Sequence, residues 1–511
     1  MKLAISSGAA ATARGGCPPR RARCARTDPT PRLRRRLAAA TALASVVVAC
    51  GSKAPPEAPV AGGARAEAPD AVERVIAEVR ARAHVPGMAV AIVQGGVADV
   101  RTAGVASLEW DAPVTRRTAF QIASSTKVFT GTLVLLLVQD GLLALDQPVS
   151  TYLADAPAAW RDLTVAQLAA HASGIADLDD LHTPGDATRA YRDAREQPLR
   201  TPPGAAAAYG RTDFAVLQVL LERVSGQPFE ALLAARILTP LGMTCTRFEH
   251  ATDDDVTRRG DVIAARAGVY RWADGAQRTA GFLYPTHSYA SGGLWSCVDD
   301  LVRWAQALDD GRLLDPALEA RAATPLPLIG GAASPWSVAF ATGTLHGLPW
   351  YGHSGGPALA DIVRVPSRRL TVIVLANQQR LAPTIAPLLA SLALGAAPPA
   401  APTPAALARP LERGELQADR ALVIRLADGT VPDARCAPAA RPLAAELRTW
   451  LPLYAAAWPE LTSLALIDRQ VAVDGGDVRV YAARYGTRVA VRWTVTRDTS
   501  GALTGADLAI E

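Results

Sequence analysis

The sequence predicts an α/β (α+β) protein that combines antiparallel strands with helices, and three stretches carry this prediction. Residues 72–79 place valine or isoleucine at positions i, i+3, i+4 and i+7, the spacing of one helix face. Residues 87–104 contain an apolar run, a Gln-Gly-Gly turn and a second run, which is typical of a hairpin. Residues 360–377 contain two more apolar runs, which we expect to be antiparallel strands.

Charge is distributed unevenly along the 511-residue chain, whose net charge is +5. Residues 1–49 contain ten lysines and arginines and one acid, Asp28, so their net charge is +9 and that of the remainder is −4. The basic character therefore belongs to the first segment, and we expect no nucleic-acid partner. Half of all residues are hydrophobic, which is typical of a globular protein.

Residues 1–49 predict an export leader, with a basic stretch at 32–36 followed by thirteen mostly small apolar residues at 37–49. This apolar run is too short to span a bilayer. Cys50 follows it directly, in a segment similar to a bacterial lipoprotein box, which predicts lipidation of Cys50. A plain secretory signal is the alternative. We expect an exported, lipid-anchored protein of the bacterial envelope, facing the periplasm or exterior.

Three cysteines would remain after lipidation of Cys50: Cys245, Cys297 and Cys436. At most one disulfide can form, and the spacing does not identify the pair. The chain has no Cys-x-x-Cys motif and no histidine cluster, so we expect no metal and no cofactor.

Ser124 and Lys127 are three residues apart in the segment FQIASSTKVFTG, residues 120–131. Positions i and i+3 share a helix face, so the serine hydroxyl and the lysine amine can meet. A serine becomes a good nucleophile when a neighbouring base takes its proton. Only Lys2, Lys53 and Lys127 are lysines, and an ammonium loses its proton far more readily than a guanidinium. The pair predicts an activated serine, although Ser-x-x-Lys also occurs by chance on buried helices.

The order of these segments resembles the serine β-lactamase-like family, which includes class C β-lactamases, D-alanyl-D-alanine peptidases and related esterases. The hairpin, the Ser-x-x-Lys segment, the apolar helix that follows and LTVAQLAAHASGI at residues 163–175 stand in the family's order. The resemblance covers residues 71–396. It implies an antiparallel sheet flanked by helices, with a helical subdomain inserted between the early hairpin and the late strands. It also implies that His171 packs near the site and is not a base.

Residues 203–214, PGAAAAYGRTDF, lie where the family carries its Tyr-x-Asn element. The resemblance implies that Tyr209 is a second base, because Lys127 in its cationic form would favour the phenolate. The alternative is that Tyr209 is an ordinary aromatic residue at a loop-to-helix junction. Arg211 replaces the family's asparagine. Two explanations of this replacement stay open. General depletion of asparagine could account for it, since Asn377 is the only asparagine of the chain, or the guanidinium binds a substrate carboxylate or phosphate.

The segment YGHSGG, residues 351–356, occupies the position of the family's Lys-Thr-Gly strand. The resemblance implies that Gly355 lets the substrate backbone approach and that the amides of Ser124 and Gly356 form an oxyanion hole. His353 replaces the lysine as a substrate-binding residue, and its unperturbed pKa of about 6.5 gives less fixed positive charge at neutral pH. This favours an esterase or peptidase over a penicillinase.

The implied activity is that of a serine hydrolase that forms an acyl-enzyme with a small-molecule or peptide substrate bearing an ester or amide carbonyl. Ser124 would attack the carbonyl, Lys127 and Tyr209 would transfer the proton, and water would release the acyl group. One alternative is a β-lactamase or a D-amino-acid peptidase of the cell envelope. The other is a lipid-anchored, non-catalytic, penicillin-binding-like envelope protein.

We expect five segments along the chain. They are the leader 1–49, a flexible tether 50–70, the β-lactamase-like serine hydrolase domain 71–396, an Ala/Pro linker 397–410 and a small α+β accessory domain 411–511. In the accessory domain we expect a helix at 443–458 and strands at 478–483, 488–496 and 503–510. This unit resembles cystatin-like or nuclear-transport-factor-like domains.

Overall fold

A computed structural model of the protein describes residues 70–178, 186–253, 258–273, 275–356, 359–379, 385–395, 413–427, 430, 460–471, 477–485 and 489–510. The predicted leader, Cys50, the predicted linker and the predicted helix at 443–458 lie outside these residues. Within the described part of the chain, no helix has both the length and the apolar character needed to cross a membrane.

The described residues contain ten α-helices, seven of which lie between residues 127 and 322. They are α1 (Ala71–Arg82), α2 (Lys127–Gln139), α3 (Val165–Ala169), α4 (Ala187–Arg195), α5 (Thr212–Ser225), α6 (Phe229–Leu233), α7 (Val298–Asp309), α8 (Pro316–Ala322), α9 (Ala386–Leu394) and α10 (Arg413–Ala427). Short 3₁₀ turns lie at Ala123–Thr126, Val149–Thr151, Ala158–Trp160, Thr286–Ser288 and Pro366–Arg368, and a π-helical turn at Ala234–Leu238.

Strands occur along the whole described part of the chain, and the longest of them lie towards its two ends. They are β1 (Gly87–Gln94), β2 (Val97–Ser107), β3 (Ala112–Pro113), β4 (Phe120–Gln121), β5 (Arg247–Phe248), β6 (Ala251–Asp253), β7 (Arg258–Gly260), β8 (Tyr270–Ala273), β9 (Ala276–Thr279), β10 (Leu294–Ser296), β11 (Ala341–Leu345), β12 (Leu348–Gly355), β13 (Ala360–Val365), β14 (Leu370–Ala376), β15 (Leu461–Val471), β16 (Asp477–Tyr485), β17 (Val489–Arg497) and β18 (Leu503–Ile510).

The main sheet has seven antiparallel strands in the order β11-β12-β13-β14-β1-β2-β3. Its centre joins the two ends of the predicted domain 71–396, because β1 pairs with β14 in a register that sets Met88 opposite Ala376. The predicted hairpin is β1 and β2, and the predicted late strands are β13 and β14. A small sheet, β4-β10-β5, lies beside the chain that leads to Ser124.

Hydrophobic side chains cover both faces of the main sheet, because successive residues of a strand point to opposite faces. In β1, Ala89, Ala91 and Val93 join one core, whereas Met88 and Val90 join the other. The first core contains side chains of α2, α5 and α7, and the second contains side chains of α1 and α9. The sheet is therefore flanked by helices.

A helical region separates the early hairpin from the late strands along the chain. Helices α2 to α8 all fall between β3 and β11. The predicted fold class and the inserted helical subdomain are confirmed.

The C-terminal described residues form a four-stranded antiparallel sheet, β15-β16-β17-β18. The three predicted strands correspond to β16, β17 and β18, and the prediction omitted both β15 and helix α10. Side chains of α10 and of this sheet, including Leu422, Tyr481 and Trp493, belong to the same hydrophobic cluster as α1 and α9. The boundary at residue 411 stays a prediction.

Cys245 and Cys297 form a disulfide, with their Cα atoms 5.8 Å apart. Cys297 lies at the start of α7, and Cys245 lies just before β5. The bond closes a sequence separation of 52 residues, so it constrains the unfolded chain over most of the segment between β5 and α7.

Candidate active site

Ser124 lies on a 3₁₀ turn, Ala123–Thr126, that runs directly into α2 at Lys127. Residues i and i+3 of a 3₁₀ helix eclipse each other, so Lys127 lies on the same face as Ser124. The side chain of Ser125 faces the sheet, where its hydroxyl donates to the carbonyl oxygens of His353, at 3.0 Å, and Ala360, at 3.3 Å. The turn is thereby held against β12 and β13.

Ala123, the residue before the serine, has a left-handed backbone with φ of 46°. This conformation costs a non-glycine residue roughly 1–2 kcal/mol. Ala123 is 1% exposed, and the Ile122 amide donates to the Leu294 carbonyl at 2.9 Å. Packing and β10 together hold the strained residue in place.

The side chain of Lys127 is buried completely. Its Nζ donates to the carbonyl oxygen of Ser291 at 2.7 Å and to the hydroxyl of Tyr209 at 2.8 Å. Nζ also lies 4.8 Å from the centre of the Phe214 ring. The amine is therefore positioned within one hydrogen bond of a phenol.

The Tyr209 hydroxyl also contacts the serine, donating to Ser124 Oγ at 2.9 Å. Tyr209 is 44% exposed, whereas Lys127 is buried. Lys127, Tyr209 and Ser124 thus form one hydrogen-bonded chain from the interior to an accessible face. A proton can move along such a chain in either direction.

His171 lies behind Tyr209, with the two ring centres 4.6 Å apart. The amide of Gly210 donates to His171 Nδ1, and Nδ1 lies 3.3 Å from Asp213 Oδ2. Burial, followed by the positive charge of Lys127, holds the pKa of His171 well below its ordinary value. His171 is therefore a neutral ring that packs against Tyr209.

Asp213 is a buried acid next to this ring, and sequence reasoning did not single it out. Its Oδ1 accepts a 2.5 Å hydrogen bond from Ser173. Burial raises the pKa of Asp213 to about 8; the Ser173 hydrogen bond lowers it, and the charge of Asp177 raises it further. The carboxyl is therefore largely protonated at neutral pH.

Gly355 packs directly on the serine turn. A Cβ at this position would lie 2.1 Å from the Ile122 carbonyl oxygen and 3.0 Å from the Ser124 amide nitrogen. Gly356 has a φ of 67°, and a Cβ there would lie 3.0 Å from that of Ala123. The structure thus brings Ser124, Gly355 and Gly356 together, and the absence of side chains on the glycines permits this approach.

His353 is buried on β12, close to Tyr209, with ring centres 6.1 Å apart. Strand β12 is not the edge of the sheet, because β11 pairs with it, but that pairing ends at Gly352. Burial, then the positive charge of Lys127, holds the pKa of His353 well below its ordinary value. The ring adds no positive charge to the site at neutral pH.

Arg211 is the residue immediately before α5, and it is half-buried. Its amide donates to Asp177 Oδ1 at 3.1 Å. The structure places it two residues from Tyr209, on the loop that carries the tyrosine.

Trp336 is a site residue that sequence reasoning missed. Its ring centre lies 5.4 Å from that of Tyr209, 5.4 Å from that of His353 and 5.0 Å from that of His171. It comes from a loop more than 120 residues further along the chain than Tyr209, so no local pattern could have connected the two.

One group of three potential metal ligands occurs in the described part of the chain: Cys245, Cys297 and Asp300. The two sulfurs are bonded to each other. Asp300 Oδ2 accepts hydrogen bonds from the amides of Cys245 and Thr246. The disulfide and these hydrogen bonds explain why the three side chains lie together at the start of α7.

The beta-lactamase family model matches residues 72–397. The chain is 30% identical over 321 residues to penicillin-binding protein 4 of Amycolatopsis lactamdurans, covering 58% of this chain and 82% of that protein. It is 26% identical over 343 residues to the D-aminopeptidase of Gluconobacter oxydans, covering 63% of this chain and 62% of the peptidase.

Among solved structures, the octameric penicillin-binding protein homologue from Pyrococcus abyssi matches with a TM-score of 0.55 at 21% identity. The match covers 86% of this chain and 89% of that one, so the likeness in fold extends beyond the segment matched by the family model. The predicted family and its serine-hydrolase character are confirmed. With a match over most of its length, the chain belongs to the beta-lactamase family.

Proposed function

We propose that the acyl-enzyme of this serine hydrolase forms on Ser124 and that its substrates are amino-acid-type amides or esters rather than β-lactams. The observation that carries the proposal is the hydrogen-bonded chain from Lys127 Nζ through the Tyr209 hydroxyl to Ser124 Oγ. Such a chain supplies a base for the serine and an acid for the leaving group.

In the acylation step, the Lys127 amine takes the phenolic proton of Tyr209, and the ammonium so formed stabilises the phenolate. Ser124 Oγ then forms a bond to the carbonyl carbon while its proton passes to that phenolate. The carbonyl π electrons move to oxygen, which accepts hydrogen bonds from the amides of Ser124 and Gly356. The bond to the leaving nitrogen or oxygen then breaks, and Tyr209 returns the proton to that atom. The products are an ester on Ser124 and a free amine or alcohol.

Deacylation repeats these events with water as the nucleophile. Tyr209 takes a proton from water as the water oxygen bonds to the acyl carbon. The bond to Ser124 Oγ then breaks, and the serine recovers its proton from Tyr209. An acid is released and the resting site is restored.

His353 supports the choice of substrate class. A buried neutral imidazole offers less attraction to a substrate carboxylate than a lysine ammonium would. The match to a D-aminopeptidase supports D-amino-acid amides as the first substrates to test. We assign Gly355 to the approach of the substrate backbone, and Arg211 to a carboxylate or phosphate elsewhere on the substrate.

The test is hydrolysis of D-alanine p-nitroanilide, p-nitrophenyl acetate and a chromogenic cephalosporin by the purified protein. We expect turnover of the anilide or the ester that is lost in Ser124→Ala and reduced about 10²-fold or more in Tyr209→Phe. A cephalosporin turned over faster than both would overturn the substrate assignment. A stable acyl adduct on Ser124, seen by intact mass without product release, would instead indicate a non-catalytic binding protein.

We also propose that Cys50 anchors the protein in a bacterial envelope membrane, after removal of residues 1–49. The support is the small-residue run that ends directly before this cysteine. Cys50→Ser should move the protein from the membrane pellet to the soluble fraction of lysed cells. Equal membrane retention of the two proteins would refute the anchor.

A further inference from the structure

Trp336 forms one side of the candidate site. Its ring packs against Tyr209, His353 and His171, and it remains partly accessible to solvent. Tyr209 itself is 44% exposed. An accessible indole therefore lies directly beside the residue that transfers the proton.

The position of Trp336 relative to Tyr209 is set by backbone hydrogen bonds within and between two loops. In the loop 326–336, the Leu326 amide donates to the Trp336 carbonyl at 2.9 Å. At its tip, the Ile329 amide donates to the Gly204 carbonyl at 2.8 Å. Gly204 begins the segment that leads through four alanines to Tyr209. The two loops are thus joined by a backbone hydrogen bond, and the backbone of Trp336 is held within its own loop.

Exposed apolar residues occur on the two loops that carry Trp336 and Tyr209. Ile329 is 69% exposed, and three of the four alanines at 205–208 are exposed. Exposed apolar groups on loops that carry site residues are typical of a surface that binds an apolar ligand group.

We propose that Trp336 contacts the leaving group and selects substrates whose leaving amine or alcohol carries an aromatic or large apolar substituent. This inference rests on the proposed function, because Tyr209 can return its proton only to a leaving atom within hydrogen-bonding reach. The leaving group then lies beside Tyr209 and hence beside Trp336. An aromatic substituent can pack on the indole at the ring separations of about 4.5–7 Å that aromatic pairs prefer.

The experiment keeps the acyl group constant and changes only the leaving amine. D-alanine benzylamide and D-alanine methylamide are compared in wild type, Trp336→Ala and Trp336→Phe, and the ratio of their kcat/KM values is taken within each protein. Intrinsic differences in amine reactivity cancel between proteins. We expect the benzyl-to-methyl ratio to fall about tenfold in Trp336→Ala and to recover in Trp336→Phe. Trp110→Ala, which removes an 84% exposed tryptophan after β2, should leave the ratio unchanged.

The rate of deacylation distinguishes a contact with the leaving group from a merely structural role of Trp336. Structural damage to the site would slow deacylation as well. Both amides give the same D-alanyl-enzyme, from which the leaving group has departed, so Trp336→Ala should hydrolyse this intermediate at a rate within about twofold of wild type. An unchanged benzyl-to-methyl ratio would overturn the inference, and so would an equal loss in both amides and in deacylation. Absence of any Ser124-dependent amide hydrolysis in wild type would refute the proposed function instead.

Discussion

Nδ1 of His353 lies 2.6 Å from the carbonyl oxygen of Ser354. A carbonyl only accepts hydrogen bonds, so Nδ1 carries the proton and Nε2 of the neutral ring is a lone-pair acceptor. Within the described residues, this buried Nε2 has no hydrogen-bond partner. The end of β12 thus presents a neutral ring with its proton turned towards the backbone, where a lysine would present a cation.

Introducing a lysine cation at position 353 should change the substrate preference. In His353→Lys, we expect the ratio of cephalosporin to p-nitrophenyl acetate kcat/KM to rise about tenfold, the size of one charge-assisted hydrogen bond. The gain should shrink as salt is added, because the attraction is electrostatic. His353→Gln is the neutral control. Equal ratios in the two variants would show that charge at this position does not select the substrate.

Lys127→Arg should abolish acylation although it preserves a positive charge. A guanidinium does not release its proton, and its planar shape cannot replace an amine that bonds both Ser291 and Tyr209. We expect at least a 10²-fold loss, measured as the burst of p-nitrophenol from an aryl ester. Ser124→Ala sets the background. A normal burst in Lys127→Arg would disprove a role for proton transfer by the lysine.

Gly355→Ala should damage both the site and the fold. Its Cβ would lie 2.1 Å from the Ile122 carbonyl, so either β12 or the serine turn must move. We expect acylation to fall about 10²-fold and the free energy of unfolding to fall by about 1–3 kcal/mol. Gly281→Ala is the control, since a Cβ there meets nothing within 4 Å. Similar behaviour of the two variants would contradict the close approach.

Asp213 should make the stability depend on pH. Because burial raises the pKa of this carboxyl from its ordinary value of 3.8 to about 8, its contribution is fully present below pH 3.8 and is lost as pH rises through about 8. Asp213→Asn cannot ionise. The free energy of unfolding of the variant minus that of wild type should therefore increase from pH 5 to pH 8, by up to about 1.4 kcal/mol per pH unit. Urea titrations that give a constant difference would show that the carboxyl is ionised throughout.

The disulfide should contribute to stability. The double variant Cys245→Ala/Cys297→Ala should lose about 2–4 kcal/mol of unfolding free energy in urea, because the unfolded chain regains a long loop. Dithiothreitol should destabilise wild type by a similar amount and leave the double variant unaffected. Equal effects of the reductant on both proteins would argue against this pairing.

Local periodicity and segment order were sufficient to predict much of the fold. The near-continuous apolar runs of β1 and β14 identify buried strands without any knowledge of their partners, since both faces of the sheet are covered. The relation between Ser124 and Lys127 follows from spacing alone. The role of Tyr209 could be predicted only from the order of the motifs along the chain, because nothing in its own segment indicates that it contacts Ser124.

Other features depend on contacts between distant segments and could not be predicted in this way. Trp336 reaches the site through a loop whose conformation is set by backbone hydrogen bonds within the loop and by one to Gly204. Three cysteines could not indicate which two would pair. Helix α10 could have been predicted, because Leu422, Val423 and Leu426 are buried at helical spacing, but the Ala/Pro-rich sequence before it obscured its start.

The left-handed Ala123 means that the nucleophile is aligned when the chain folds rather than when a substrate arrives. The strain of this residue lowers the stability of the folded protein, and the surrounding packing offsets it. Because the strain is already present before substrate binds, it adds nothing to the barrier of each catalytic cycle. Mutations that loosen this packing, even far from any bound substrate, would let the turn relax. Such variants should fold stably, but their Ser124 hydroxyl should react no faster than that of an unactivated serine.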